Sequence, residues 1–164
     1  MAEPRLVRRR RSSAPSSKPP VPAPSLGPPS ARRLALESFL AFEQGNALPD
    51  DPPAALPDSR DRALFVNLLH GLVRHRRFLQ GEMLRLALRP ADKVHPLLGA
   101  LAMLGLYQLR FLDLPPRAAV FETVELARVF GQDHATGWIN GVLRTAQREG
   151  WRGTEAPGTL SLAE

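Results

Sequence analysis

The sequence predicts an all-α fold, a single bundle of about six to seven helices behind a disordered N-terminal arm. Three observations carry this. From residue 31 onward apolar residues recur at three- and four-residue spacing, the period of a helix with one buried face, and no alternating strand pattern appears. Short Pro, Gly and Asp punctuation separates the periodic segments. No repeat of fixed period occurs, and 164 residues suffice for one domain with a real core but not for a second of ordinary size.

The arm covers residues 1–30, where eight of the seventeen prolines lie among Ser, Ala and Gly. Such a stretch buries too little apolar surface to offset chain entropy. It holds six basic groups against one acidic group, a charge of +5, whereas residues 31–164 hold sixteen basic against fifteen acidic groups, a charge of +1. The overall +6 therefore points to a polyanionic partner through the arm and hardly at all through the body. The Arg-rich, Ser-rich, acid-poor start also suits a mitochondrial presequence, although the reading adopted is cytoplasmic.

The ordered domain is expected over 31–150, followed by an irregular tail over 151–164. Ser30 caps a first helix over 31–44, with Leu36, Phe39, Leu40 and Ala41 as its apolar positions and Gly45 as its stop. The stretch 46–57 carries four prolines and reads as a loop, after which Asp58 or Ser59 starts a helix with Leu64, Phe65, Leu68, Leu69 and Leu72 on one side. A short connection leads to a helix around 78–88, with Phe78, Leu79, Met83 and Leu86 inward and Pro90 as its stop. Pro96 opens a helix over 97–112 that is apolar nearly all round, the signature of a central helix surrounded by others. Pro115 and Pro116 start the next, with Val120, Phe121, Val124 and Ala127 as its apolar face and Gly131 as its end. Asp133 caps the last helix, which carries Trp138, Ile139, Val142, Leu143 and Ala146 and ends at Gly150.

Several chemistries drop out. With no cysteine there is no disulfide, thiolate metal site or cysteine nucleophile, a composition that fits a reducing cytosol. His70 and His75 are five residues apart and face different ways, and His95 and His134 lack partners at ligand spacing, so the histidines read as structural or surface groups. Asp50, Asp51, Asp58 and Asp61 lie in a loop and at a helix start, where aspartate caps and solubilises. No glycine-rich phosphate cradle occurs, so no cofactor is expected. The longest apolar run, 97–109, falls short of the roughly twenty residues needed to cross a bilayer.

What remains is cationic: Arg8, Arg9, Arg10 and Arg11 in the arm, Arg32 and Arg33 in the first turn of helix one, and Arg144 and Arg148 with Gln147 on the outer side of the last helix. An arginine pair at a helix N-terminus opposes the macrodipole, a cost that an anionic partner reverses. The bland alternatives are a solvated arm and a polar outer face. If helices one and six are neighbours, their basic side chains line one groove.

The segment LARVFGQDHATGWINGVL (126–143) resembles the NusB family of helical RNA-binding domains in its order of helix, Phe-Gly turn, aromatic residue and Ile-Asn-Gly-Val-Leu. HGLVR (70–74), GLYQLRFLDLPPRAAVFETVELA (105–127) and INGVLRTAQR (139–148) look like the NusB-like N-terminal domain of bacterial small-subunit rRNA cytosine-5 methyltransferases, with Gln108 where the antitermination factor tends to have Glu. The resemblance implies a non-catalytic RNA-binding domain over 31–149, acting in rRNA modification or in transcription antitermination, without the catalytic domain or its cysteine. It implies RNA contacts at Arg32 and Arg33, with Trp138 and Asn140 matching the aromatic and the Asn of the last-helix motif. Trp138 equally suits the core, and Asn140 a backbone hydrogen bond. Where the antitermination factor has a Tyr late in helix one, this chain has Leu40.

The expected partner is RNA, which the resemblance implies to be ribosomal, with no membrane and no small-molecule substrate. The competing readings are a module that binds a small-subunit ribosomal protein and the N-terminal fragment of a split methyltransferase.

Overall fold

A computed structural model describes residues 28–151. Six α-helices and two short 3₁₀ turns make up the regular structure of this region, and no strand occurs among the described residues. The arm residues Arg8 to Arg11 and the tail beyond Trp151 lie outside it.

Helix α1 spans Ala31–Glu43, and Ser30 Oγ accepts a hydrogen bond from the Arg33 backbone N–H at 3.2 Å. Helix α2 spans Ser59–Arg74, with the Asp58 carboxylate accepting from the Arg60 N–H at 2.7 Å. Each cap satisfies one donor that the first turn leaves without an intrahelical acceptor. Helix α3, Arg76–Ala87, follows after the single residue His75. It ends on Leu88, which is left-handed at φ 52° and 90% exposed. A branched side chain there costs about 1–2 kcal/mol of backbone strain. Helix α4, Pro96–Phe111, begins with proline at its first position, where a missing N–H costs nothing.

Helix α5 spans Pro116–Val129 and helix α6 Thr136–Glu149. Asp133 does not cap α6 as the sequence predicts. Instead, residues Asp133–Ala135 form a 3₁₀ turn and the Asp133 carbonyl accepts from Thr136 Oγ1 at 2.8 Å. The helix consequently starts two residues later than an Asp133 cap implies.

Helix α4 is the hub: it packs against all five other helices and is buried from Gly99 to Gln108. Leu101, Leu104 and Leu106 are fully enclosed, each contributing about 1.5–3 kcal/mol of burial. Two glycines set the approach distances. A Cβ on Gly71 of α2 falls 2.0 Å from Tyr107 Cζ, and one on Gly105 of α4 falls 2.7 Å from the Leu143 methyl carbons of α6. Both helix pairs are closer than any larger residue permits. Arg85 ties α3 to the end of α6: it bonds Glu82 at 2.6 Å, Glu149 at 3.2 Å and the Gly150 carbonyl at 3.2 Å. Glu82 is 3% exposed, so its carboxylate is partnered by the Arg85 guanidinium rather than by water.

No helix among the described residues is long and apolar enough to cross a membrane.

Candidate nucleic-acid interface

The residues picked out in the sequence fall into different places. Arg32 turns inward, where its Nε donates to Gln108 Oε1 at 2.7 Å and its Nη1 lies 3.8 Å from Glu122 of α5. Gln108 is fully buried and in turn donates to Thr123 Oγ1 at 3.2 Å and the Leu104 carbonyl at 3.3 Å. Arg32 therefore joins α1 to α4 and α5. Arg33 pairs with Glu37 one turn on, at 2.9 Å.

Helices one and six are not packed as neighbours, so their basic side chains do not line one groove. Helix α1 packs on α2 and α4, whereas α6 packs on α3, α4 and α5. Arg144 and Asn140 instead face α5, across a groove of about 640 Å³ that Arg117, Phe121 and Arg128 line from the other side. Trp138, only two residues from Asn140, points another way: it packs against the core, under the Arg89 guanidinium at 5.9 Å. Its buried Nε1 has no hydrogen-bond partner among the described residues. Arg148 is exposed just outside the groove lining, 3.5 Å from Thr145 Oγ1.

Phe121 corrects an expectation. The sequence places it on the buried face of α5, yet it is 61% exposed, because that face consists of Ala119, Val120, Thr123, Leu126 and Ala127. Phe121 stands one step round the helix from Val120, beyond the reach of α4. The stripe Arg117, Phe121, Val124, Arg128 recurs at four, three and four residues, so it was readable as a basic and aromatic face of one helix. What hid it was the assumption that a phenylalanine marks the core.

The groove offers three cations and one carboxylate. Arg117 has no ion-pair partner among the described residues, Arg128 pairs with Glu125, and Arg144 Nε donates to Asn140 Oδ1 at 3.1 Å. That bond holds the Asn140 carbonyl and leaves its amide hydrogens directed elsewhere. Cations flanking an exposed ring, with an amide beside them, match what a single-stranded nucleic acid presents: phosphates, base faces and base edges. No cluster of His, Asp or Glu fit to hold a metal occurs among the described residues.

Residues 29–148 match the NusB family. Ribosomal RNA small subunit methyltransferase B of Xanthomonas campestris pv. campestris is 40% identical over 126 residues, which cover 74% of this chain and 29% of that protein. The protein of the same name from Xylella fastidiosa is 39% identical over 122 residues, 73% of this chain and 27% of its own length. A probable ribosomal RNA small subunit methyltransferase B of Bacillus subtilis is 34% identical over 127 residues, covering 74% of this chain and 28% of that protein. The chain thus spans a little over a quarter of the length of these relatives.

Proposed function

This chain belongs to the NusB family, and from that premise we propose that its bundle is a non-catalytic RNA-binding domain acting in ribosomal RNA modification in the cytoplasm, with the α5–α6 groove as a main point of RNA contact. The observation that carries the reading is the groove itself, where Arg117, Arg128 and Arg144 surround the exposed ring of Phe121. The relatives support it: by name they are ribosomal RNA methyltransferases, and the shared part is a fraction of each. The 164 residues contain no cysteine and no glycine-rich nucleotide cradle, so the reading gives them no covalent step and no cofactor.

Arg8, Arg9, Arg10 and Arg11 belong to the same proposal as a sequence-independent grip on phosphates, with Arg33 and Arg148 as further contacts. Arg32 and Trp138 enter it in a different capacity, since each is engaged with the bundle. A second reading has a specific observation behind it. The apolar floor of the groove, Val120 and Val124 beside Phe121, also suits a protein, of which a small-subunit ribosomal protein is the expected example. A role in transcription antitermination is a variant of the RNA reading and involves the same surfaces.

Affinity for small-subunit rRNA fragments measured against salt concentration tests the proposal. Replacing Arg117 and Arg144 by Ala removes two phosphate contacts and flattens the slope of log affinity against log salt by about 1.4 for a single strand. Phe121→Ala weakens binding by about 1–3 kcal/mol through lost base stacking. Unchanged binding in both variants, with helix content intact, overturns the RNA reading of the groove. Capture of the ribosomal protein by a chain that ignores RNA favours the second reading.

A further inference from the structure

The face of α2 turned away from the core forms a second basic cleft, of about 560 Å³, on the α2 side of the central helix. Arg62, Val66, His70 and Arg74 recur every four residues along it, and Tyr107 of α4 forms its deeper wall with His75. The wall exists because Gly71 has no side chain, which lets the Tyr107 ring lie against the α2 backbone. Tyr107 Oη donates to Asn67 Oδ1 at 2.6 Å, which engages the Asn67 carbonyl and leaves its amide hydrogens out of that bond.

The lining is rich in donors and contains no carboxylate. Arg62, His70 and Arg74 have no ion-pair or hydrogen-bond partner through their side chains among the described residues, and His75 Nδ1 is buried without one. Arg33, Arg76 and Arg128 pair with Glu37, Glu43 and Glu125, whereas Arg62 and Arg74, like Arg117, have no ion pair among the described residues. An acid-free cleft with two unpaired guanidiniums is complementary to a polyanion.

We propose that this cleft holds successive phosphates of one RNA strand, so that the bundle grips RNA on two sides of α4. The inference rests on the RNA-binding reading above and adds a site to it. A polymer is indicated rather than a lone phosphate because Arg62 and Arg74 are twelve residues apart on α2. At 1.5 Å of rise per residue their Cα atoms are about 18 Å apart along the axis, so the two side chains enter the cleft from well-separated points. A strand of several nucleotides spans that distance. His70 and the Asn67 amide lie between as additional donors.

The test uses the full chain with Arg62→Gln and Arg74→Gln together. Both residues are on the surface of α2, and an unchanged thermal melt verifies the fold. The probes are a short single-stranded RNA oligonucleotide and, separately, inorganic phosphate. The expected result is weaker oligonucleotide binding and a salt slope shallower by about 1.4, since two single-strand phosphate contacts are lost. The oligonucleotide also shifts the His70 and His75 imidazole resonances, whereas inorganic phosphate at the same phosphate concentration leaves them in place.

Oligonucleotide binding that is unaltered at every salt concentration overturns the inference. So does saturation of the His70 shift by inorganic phosphate alone, which marks a single-phosphate site. The two readings fail separately. Loss of binding on replacing Arg117 and Arg144 but not Arg62 and Arg74 removes this site and leaves the groove. The reverse pattern retains this site and removes the groove.

Discussion

His75 is the residue whose environment has the clearest consequence in solution. It is the one-residue joint between α2 and α3, and its ring stacks on Phe111 with centroids 4.2 Å apart. Burial, and secondly the charge of Arg74, hold its pKa below the usual 6.5. The unfolded chain takes up this proton at about 6.5, whereas the folded chain resists it. The stabilisation is therefore complete above that pH and is lost as the pH falls from 6.5 through the lower folded pKa. His75→Phe keeps the stack and removes the titration. Urea midpoints of the parent are expected to fall relative to those of the variant as the pH is lowered below 6.5, and parallel profiles would show that His75 titrates freely. The stack was not legible in the sequence, where His75 reads as a structural or surface histidine, because its ring partner lies on a different helix.

At the scale of elements, Gln108 connects three helices. It accepts from Arg32 of α1 and donates to Thr123 of α5, which itself donates to the Ala119 carbonyl at 2.7 Å. A buried amide with its bonds made contributes modestly, but truncation leaves a void and partners unsatisfied. Gln108→Ala is expected to cost about 2–4 kcal/mol in chemical denaturation, and a loss of less than about 1 kcal/mol would mean that the three helices do not depend on it. The exposed end of the same network, Arg32 to Glu122, is worth little by itself. Arg32→Ala consequently perturbs the bundle as well as any RNA contact, and Arg33 is the cleaner residue for testing the start of α1. The sequence marked Gln108 only as a point of family resemblance. Its inward orientation follows from the close approach of α4 and α5, which periodicity within one helix does not reveal.

For the whole molecule, on the proposed RNA-binding reading, the distribution of charge decides how RNA is attracted. Residues 1–30 carry +5 of the total +6, while cations and anions nearly balance in the rest. Nonspecific attraction therefore belongs to the arm, and the bundle contributes through where its arginines are gathered. Replacing Arg8, Arg9, Arg10 and Arg11 by Ala is expected to flatten the salt dependence of RNA binding by about 2.8 and leave the thermal melt of the bundle unchanged. An unaltered slope would show that the arm is not in contact with RNA.

The sequence by itself determined the helices and most of their ends. Ser30, Asp58, Pro96 and Pro116 open helices where they are expected to, because capping and proline geometry act over a few residues, and the all-apolar α4 could only be a hub. It also placed the chain in its family, through the block around Trp138 and Asn140. Only the tertiary structure decided which arginines share a surface. It separated Arg32 from Arg144, joined Arg144 to Arg117 and Phe121, and left Arg62 and Arg74 unpaired beside Tyr107. An amphipathic pattern fixes which face of a helix leaves water, but not which neighbour covers it. Whether a residue at the margin of that face, such as Phe121, is buried depends on packing between helices far apart in the chain.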